Sequence, residues 1–134
     1  LNNISDISKY VGIRFLEHGR SMHSCDCWGL VYLYYKHELG VDLPLLKSYP
    51  HTKARPEIAG IIEAEKLNWS KVDKSENIKD GDVIVLNISG FPAHVGICVG
   101  RGRMLHAYQG TDSCIESFTG PRWKNRIEGV YRYE

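Results

Sequence analysis

At 134 residues the chain has the length of one ordinary domain, and 35 of them are Leu, Ile, Val or Phe, enough for a core without disulfide or metal staples. Its 17 Lys and Arg against 16 Asp and Glu leave a formal charge of +1, which excludes a strongly electrostatic binder of nucleic acid or acidic membrane. The longest apolar run, Trp28 to Tyr35, is eight residues and far too short for a membrane span.

The elements are read in chain order as one domain over residues 1–134. Ser5 to Val11 predicts a short helix with Ser5 as N-cap and Gly12 after its end. Gly12 to Ser24 is mixed and polar and reads as loop. Asp26 opens the strongest helix signal, to about Leu39: Cys27, Leu30, Val31 and Tyr34 or Tyr35 recur at three- and four-residue spacing, and Gly40 is a natural stop. Val41 to Pro50 reads as extended or looped chain, and a second helix is expected from Pro56 to about Leu67. Asp82–Ile88, Ala93–Val99, Arg103–Tyr108, Cys114–Phe118 and Ile127–Tyr133 then read as strands. Helices first and a strand meander after is an α+β arrangement.

Gly100-Arg101-Gly102 is a three-residue hairpin signal. Centred on Arg101, it pairs Gly96 with His106 and His94 with Tyr108. The two histidines then share one face as diagonal neighbours, opposite the apolar row of Val95, Ile97, Val99, Leu105 and Ala107. A two-residue turn would place the histidines on opposite faces.

Asp26-Cys27-Trp28-Gly29 puts a cysteine in the first turn of a helix. Unpaired N–H groups and the helix dipole favour an anion there, so the expected thiol is easily ionised, and the same N–H groups suit an oxyanion. Gly29 leaves room for a substrate or another segment. A cysteine at a helix start with a histidine base and a second polar group behind it is the plan of cysteine acyl-transfer enzymes.

Asp26-Cys27-Trp28-Gly29-Leu30-Val31, Asp80-Gly81-Asp82-Val83, Ala93-His94-Val95-Gly96-Ile97 and Met104-Leu105-His106-Ala107 occur in the order of the NlpC-type cell-wall peptidases, which the chain resembles from about Gly12 to Tyr133. The resemblance implies a papain-like fold, with the nucleophile helix packed on an antiparallel sheet. It implies hydrolysis of a γ-D-glutamyl–diamino acid bond in peptidoglycan stem peptides without a cofactor. Carried over by motif, Cys27 is the nucleophile, His94 the general base and acid, and His106 the orienting residue. Trp28, Leu43-Pro44 and Gly129-Val130-Tyr131-Arg132-Tyr133 resemble the branch found in tailed-phage tail proteins. That branch implies phage tail-tip proteins as partners and residence in the virion tail, or in the host cytoplasm before assembly. It also accords with the absence of a signal-peptide pattern at Leu1. The family usually carries a Tyr hydroxyl where Phe15 stands here.

Other readings of the same residues remain open at this level. The fold could serve as a structural tail component with a weak or inactive cleft, or as an acyltransferase. Cys25, Cys27, His94, Cys98, His106 and Cys114 could supply a zinc site, although no Cys-x-x-Cys knuckle is present. Otherwise Cys25, Cys98 and Cys114 read as small buried residues or incidental thiols. Tyr32, Tyr34 and Tyr35 read as helix packing, and Arg101, Arg103, Arg122, Lys124 and Arg126 as a solvated basic face.

Overall fold

The computed structural model describes residues 7–73 and 77–134. Ser5, the expected first N-cap, lies outside them, and the segment that follows forms a 3-10 turn at Ser8–Tyr10. The polar stretch expected to be loop contains three two-residue strands: β1 (Arg14–Phe15), β2 (Arg20–Ser21) and β3 (Ser24–Cys25). They form a small sheet in the order β1-β3-β2, with β1 parallel and β2 antiparallel to β3. Strands this short carry no alternation from which the sequence could be read.

Helix α1 spans Cys27–Tyr34 and continues through one π-helical stretch, Tyr35–Leu39, before stopping at Gly40. Helix α2 spans Arg55–Glu65, with Pro56 in its first turn, and tightens into a 3-10 turn to Asn68. The remaining strands are β4 (Trp69–Lys71), β5 (Val83–Ile88), β6 (Phe91–Cys98), β7 (Arg103–His106), β8 (Cys114–Ser117) and β9 (Ile127–Tyr133). They form an antiparallel six-stranded sheet in the order β4-β9-β5-β6-β7-β8. Five of these match the expected strands. The sixth, β4, is three residues pairing with the far end of β9, too short to stand out by pattern.

The register of the β6–β7 hairpin is the one centred on Arg101: Ile97 pairs with Leu105 and Cys98 with Met104. Period-two alternation then sorts the hairpin by face. Val95, Ile97, Val99, Leu105 and Ala107 enter the core cluster that contains Leu30, Val31 and Tyr34 of α1. On the other face Cys98 and Met104 join Ile84, Leu86, Phe118 and Trp123 in a second cluster.

Two glycines set the distances between elements. A Cβ on Gly29 would stand 2.0 Å from the Gly19 carbonyl oxygen, so the room at this position is taken by the β1–β2 segment, not by a substrate. A Cβ on Gly96 would stand 2.8 Å from the Met104 sulfur and 3.3 Å from the Cβ of His106, so its absence lets β7 lie close.

Candidate active site

Asp26 is 1% exposed and satisfied on both carboxylate oxygens. Oδ1 caps α1 by accepting from Gly29 N at 2.9 Å and takes a 2.7 Å ion pair from Arg20 Nη1. Oδ2 accepts from His18 N and from the Tyr49 hydroxyl. Arg20 also donates to the carbonyls of Gly19, Leu45 and Leu46 and to Tyr49 Oη, so one guanidinium joins the small sheet, the helix start and the segment before α2. Trp28 Nε1 donates to the Pro44 carbonyl at 2.9 Å, which ties the same segment to α1 from its other side. Cys27 is held at the first turn by this frame.

The thiol is not the ready anion expected from the helix start. Burial, followed by the negative charge of Asp26, pushes Cys27 up to about 12, against the weaker opposing effects of the Val95 N–H, Arg20 and the Trp28 N–H. An N-cap carboxylate placed to hold the helix also bears on the sulfur, and its repulsion adds to desolvation. Both effects favour the neutral thiol at Cys27.

His94 and His106 lie on the sheet face predicted for them, 3% and 1% exposed. His94 Nε2 is 2.8 Å from His106 Nδ1, and His106 Nε2 is 2.9 Å from Glu116 Oε1. Arg122 Nη1 holds the other Glu116 oxygen at 3.0 Å. Burial pushes the Glu116 carboxyl up, but Trp123, His106 and Arg122 together outweigh it and hold it below its ordinary value. Burial holds both imidazoles below their ordinary value, with repulsion from His106 and Arg122 adding to the effect at His94. Both shifts favour the neutral rings, and in that state the carboxylate decides where their protons sit. Glu116 can only accept, so His106 carries its proton on Nε2 and offers Nδ1 as acceptor; His94 must then donate from Nε2. Nδ1 of His94 is left as a lone pair, on a ring that lines the same cleft as Cys27. Trp123 stacks on His94 at 5.6 Å and Tyr108 meets it edge-on at 5.0 Å, so the ring is fixed in plane.

The sequence model of the NlpC/P60 family matches residues 12–132. The chain belongs to the NlpC/P60 family. Over 121 residues it is 25% identical to murein DD-endopeptidase MepS/murein LD-carboxypeptidase of Escherichia coli K12, covering 90% of this chain and 56% of that protein. It is also 25% identical to gamma-DL-glutamyl hydrolase of Bacillus subtilis 168, covering 98% of this chain and 29% of that protein. The chain thus spans about half of the first relative and under a third of the second. NlpC1 of Trichomonas vaginalis superimposes with a TM-score of 0.71 at 18% identity, over 95% of this chain and 41% of that one. The fold is the α+β, papain-like fold of the NlpC/P60 family.

In this NlpC/P60 chain the cleft runs between the start of α1 and α2. Trp28, Leu46, Ile58, Ile61, Ile62 and Ile88 give it apolar walls, while Cys27, His94, Thr52, Arg55, Tyr108 and Gln109 also line it. Phe15 does line the cleft, without a hydroxyl, and a phenol reaches the helix start from Tyr49 instead. Four residues of the site escaped the sequence reading: Arg20, Tyr49, Glu116 and Trp123. Only Glu116 left a usable trace, since Cys114-x-Glu116 alternates opposite His106 once β7 and β8 are paired.

The other thiols divide. Cys25 and Cys98 are buried, as expected, whereas Cys114 is partly exposed. Arg122 is not simply solvated: besides its ion pair it lies over the Trp123 ring at 4.9 Å. Tyr34 and Tyr35 are buried packing residues, as expected.

Proposed function

We propose that the chain is a peptidoglycan endopeptidase that hydrolyses a γ-D-glutamyl–diamino acid bond, with Cys27 as nucleophile, His94 as base and acid, and His106 as the orienting residue. The observation that carries this is the unbroken line from Glu116 through His106 to His94, which leaves a lone pair on a ring bordering the cleft that holds Cys27. His94 Nδ1 takes the Cys27 proton as the sulfur attacks the amide carbonyl. N–H groups near residue 27 stabilise the oxyanion. The imidazolium protonates the leaving amine, then the neutral ring activates water to release the acyl group. Because both groups start neutral, ionisation of the thiol is coupled to attack.

The substrate class is supported by the two relatives, a murein DD-endopeptidase/LD-carboxypeptidase and a gamma-DL-glutamyl hydrolase. A γ-linked D-glutamyl residue keeps a free α-carboxylate, and Arg55 is the cation among the cleft-lining residues. Delivery at a phage tail tip, with tail proteins as partners, is supported by the resemblance of Trp28, Leu43-Pro44 and the closing Gly129–Tyr133 segment to that branch. A structural tail component with an idle cleft is the second reading, favoured by Phe15.

Mass spectrometry of defined muropeptides after incubation with the protein, with Cys27→Ala alongside, tests the proposal. A γ-D-glutamyl product that disappears with the variant supports it. No product from several wall chemistries, with the protein folded by circular dichroism, supports the structural reading instead.

A further inference from the structure

We propose that His106 Nε2, Cys114 Sγ and Glu116 Oε1 form a zinc site at the outer end of the histidine relay, and that its occupation switches the site off by reversing the tautomer of His94. The candidate zinc ligands read from the sequence, Cys25, Cys27, His94, Cys98, His106 and Cys114, include two of these three donors and omit Glu116.

The register builds the cluster. His106 of β7 pairs directly with Cys114 of β8, and Glu116, two residues on, returns to the same face. The three donor atoms all lie within 4.8 Å of one another. Donors around tetrahedral zinc stand roughly 3–4 Å apart, given bonds of about 2.0–2.3 Å, so small side-chain adjustments suffice to close the site. Arg122 engages Glu116 Oε2 and leaves Oε1 turned to His106. Its positive charge, held by Glu116 and over the Trp123 ring, opposes a cation, but its side chain is 56% exposed to solvent, while a thiolate and a carboxylate supply two negative charges. Cys114 and Glu116 are both partly exposed, which provides an entry path and room for water as fourth ligand. Imidazole, thiolate and carboxylate together suit zinc better than calcium or magnesium.

The consequence follows from proton bookkeeping. Zinc takes the Nε2 lone pair of His106 and the sulfur of Cys114, so the Nε2 proton and the thiol proton leave to solvent. A neutral imidazole bound through Nε2 carries its proton on Nδ1, and the His94 Nε2 proton supplies it along the 2.8 Å bond between the rings. His94 accepts one proton from solvent at Nδ1. Two protons are released and one taken up, a net release of one per zinc. His94 then presents an N–H to the cleft in place of a lone pair, and it can no longer take the Cys27 proton. The metal site stands on its own geometry; the loss of turnover rests on the role proposed for His94.

Cobalt(II) titration of Cys27→Ala, which removes the cleft thiol as a competitor, reads the site without any turnover. The expected result is one tetrahedral cobalt with a thiolate charge-transfer band. That band is absent in Cys27→Ala/Cys114→Ser, and binding is weakened at least about tenfold in Cys27→Ala/Glu116→Gln. Zinc calorimetry in buffers of different ionisation enthalpy is expected to give one proton released. An undiminished band in the Cys114→Ser background, or no cobalt binding, overturns the site. Zinc bound at Cys114 with muropeptide turnover unchanged overturns the switch. A protein that turns over no wall fragment even without metal defeats the proposed function, and the cobalt spectra still decide the metal site.

Discussion

Glu116 sets the protonation of His94 without touching it: the carboxylate on β8 fixes the tautomer of His106 on β7, and His106 fixes that of His94 on β6. Removing successive members of this line should weaken turnover in a graded way. Cys27→Ala should abolish it, and His94→Ala should cost nearly as much, because the two act as one unit. His106→Ala is expected to lower kcat about 100-fold and Glu116→Gln about tenfold, with KM little changed in both. Steady-state kinetics on a muropeptide check the order. A Glu116→Gln variant indistinguishable from the parent would mean that the carboxylate does not govern the relay.

A neutral Cys27 has a signature in alkylation. The rate of iodoacetamide modification at this residue should rise about tenfold per pH unit from 7 to 9 without levelling off, since only the scarce thiolate reacts. A preformed thiolate–imidazolium pair would instead give a rate independent of pH across that range. Peptide mapping by mass spectrometry separates Cys27 from Cys114, the other partly exposed thiol.

The Asp26–Arg20 pair should behave as a support of the helix start. Asp26→Ala leaves the Arg20 guanidinium buried and uncompensated and removes the cap from Gly29, so a loss of about 3–5 kcal/mol is expected, read from chemical denaturation. Tyr49→Phe removes the hydroxyl that donates to this carboxylate and accepts from Arg20, leaves the ion pair itself in place, and should cost about 1–2 kcal/mol. A larger loss for Tyr49→Phe than for Asp26→Ala would show that the phenol, not the ion pair, holds this corner.

The sequence carried the parts of this site that depend on local pattern. Period-two alternation and the turn at Arg101 placed both histidines on one face, and the Asp-Cys-x-Gly run placed Cys27 at a helix start. It did not carry the parts that depend on contacts across the fold. Arg20 meets Asp26 through two-residue strands with no periodicity, and Tyr49 arrives from an irregular segment. Seven residues separate β7 from β8, so no tight turn announced that Glu116 would stand beside His106. At the thiol the two levels pull apart: a helix terminus favours an anion locally, whereas burial and the Asp26 charge, which oppose it, are decided by the fold.

The same buried groups predict how stability depends on pH. Burial pushes Cys25 and Cys27 up to about 12 and raises the phenols of Tyr35 and Tyr49 as well. These groups hold their protons more tightly folded than unfolded, so their stabilising effect is complete below the ordinary thiol value of 9.0 and fades as pH climbs towards 12. His94 and His106 are shifted the opposite way. Burial favours their neutral rings, so the folded state binds protons less readily than the unfolded chain, and stability falls once pH drops below the ordinary imidazole value of 6.5. Unfolding midpoints should therefore form a plateau between these two values and decline on both sides. In His94→Gln the acid limb should flatten while the alkaline limb stays. An acid limb unchanged by that substitution would place the sensitive group elsewhere, with the carboxylates Glu116 and Glu38, both held below their ordinary values, as the next to replace.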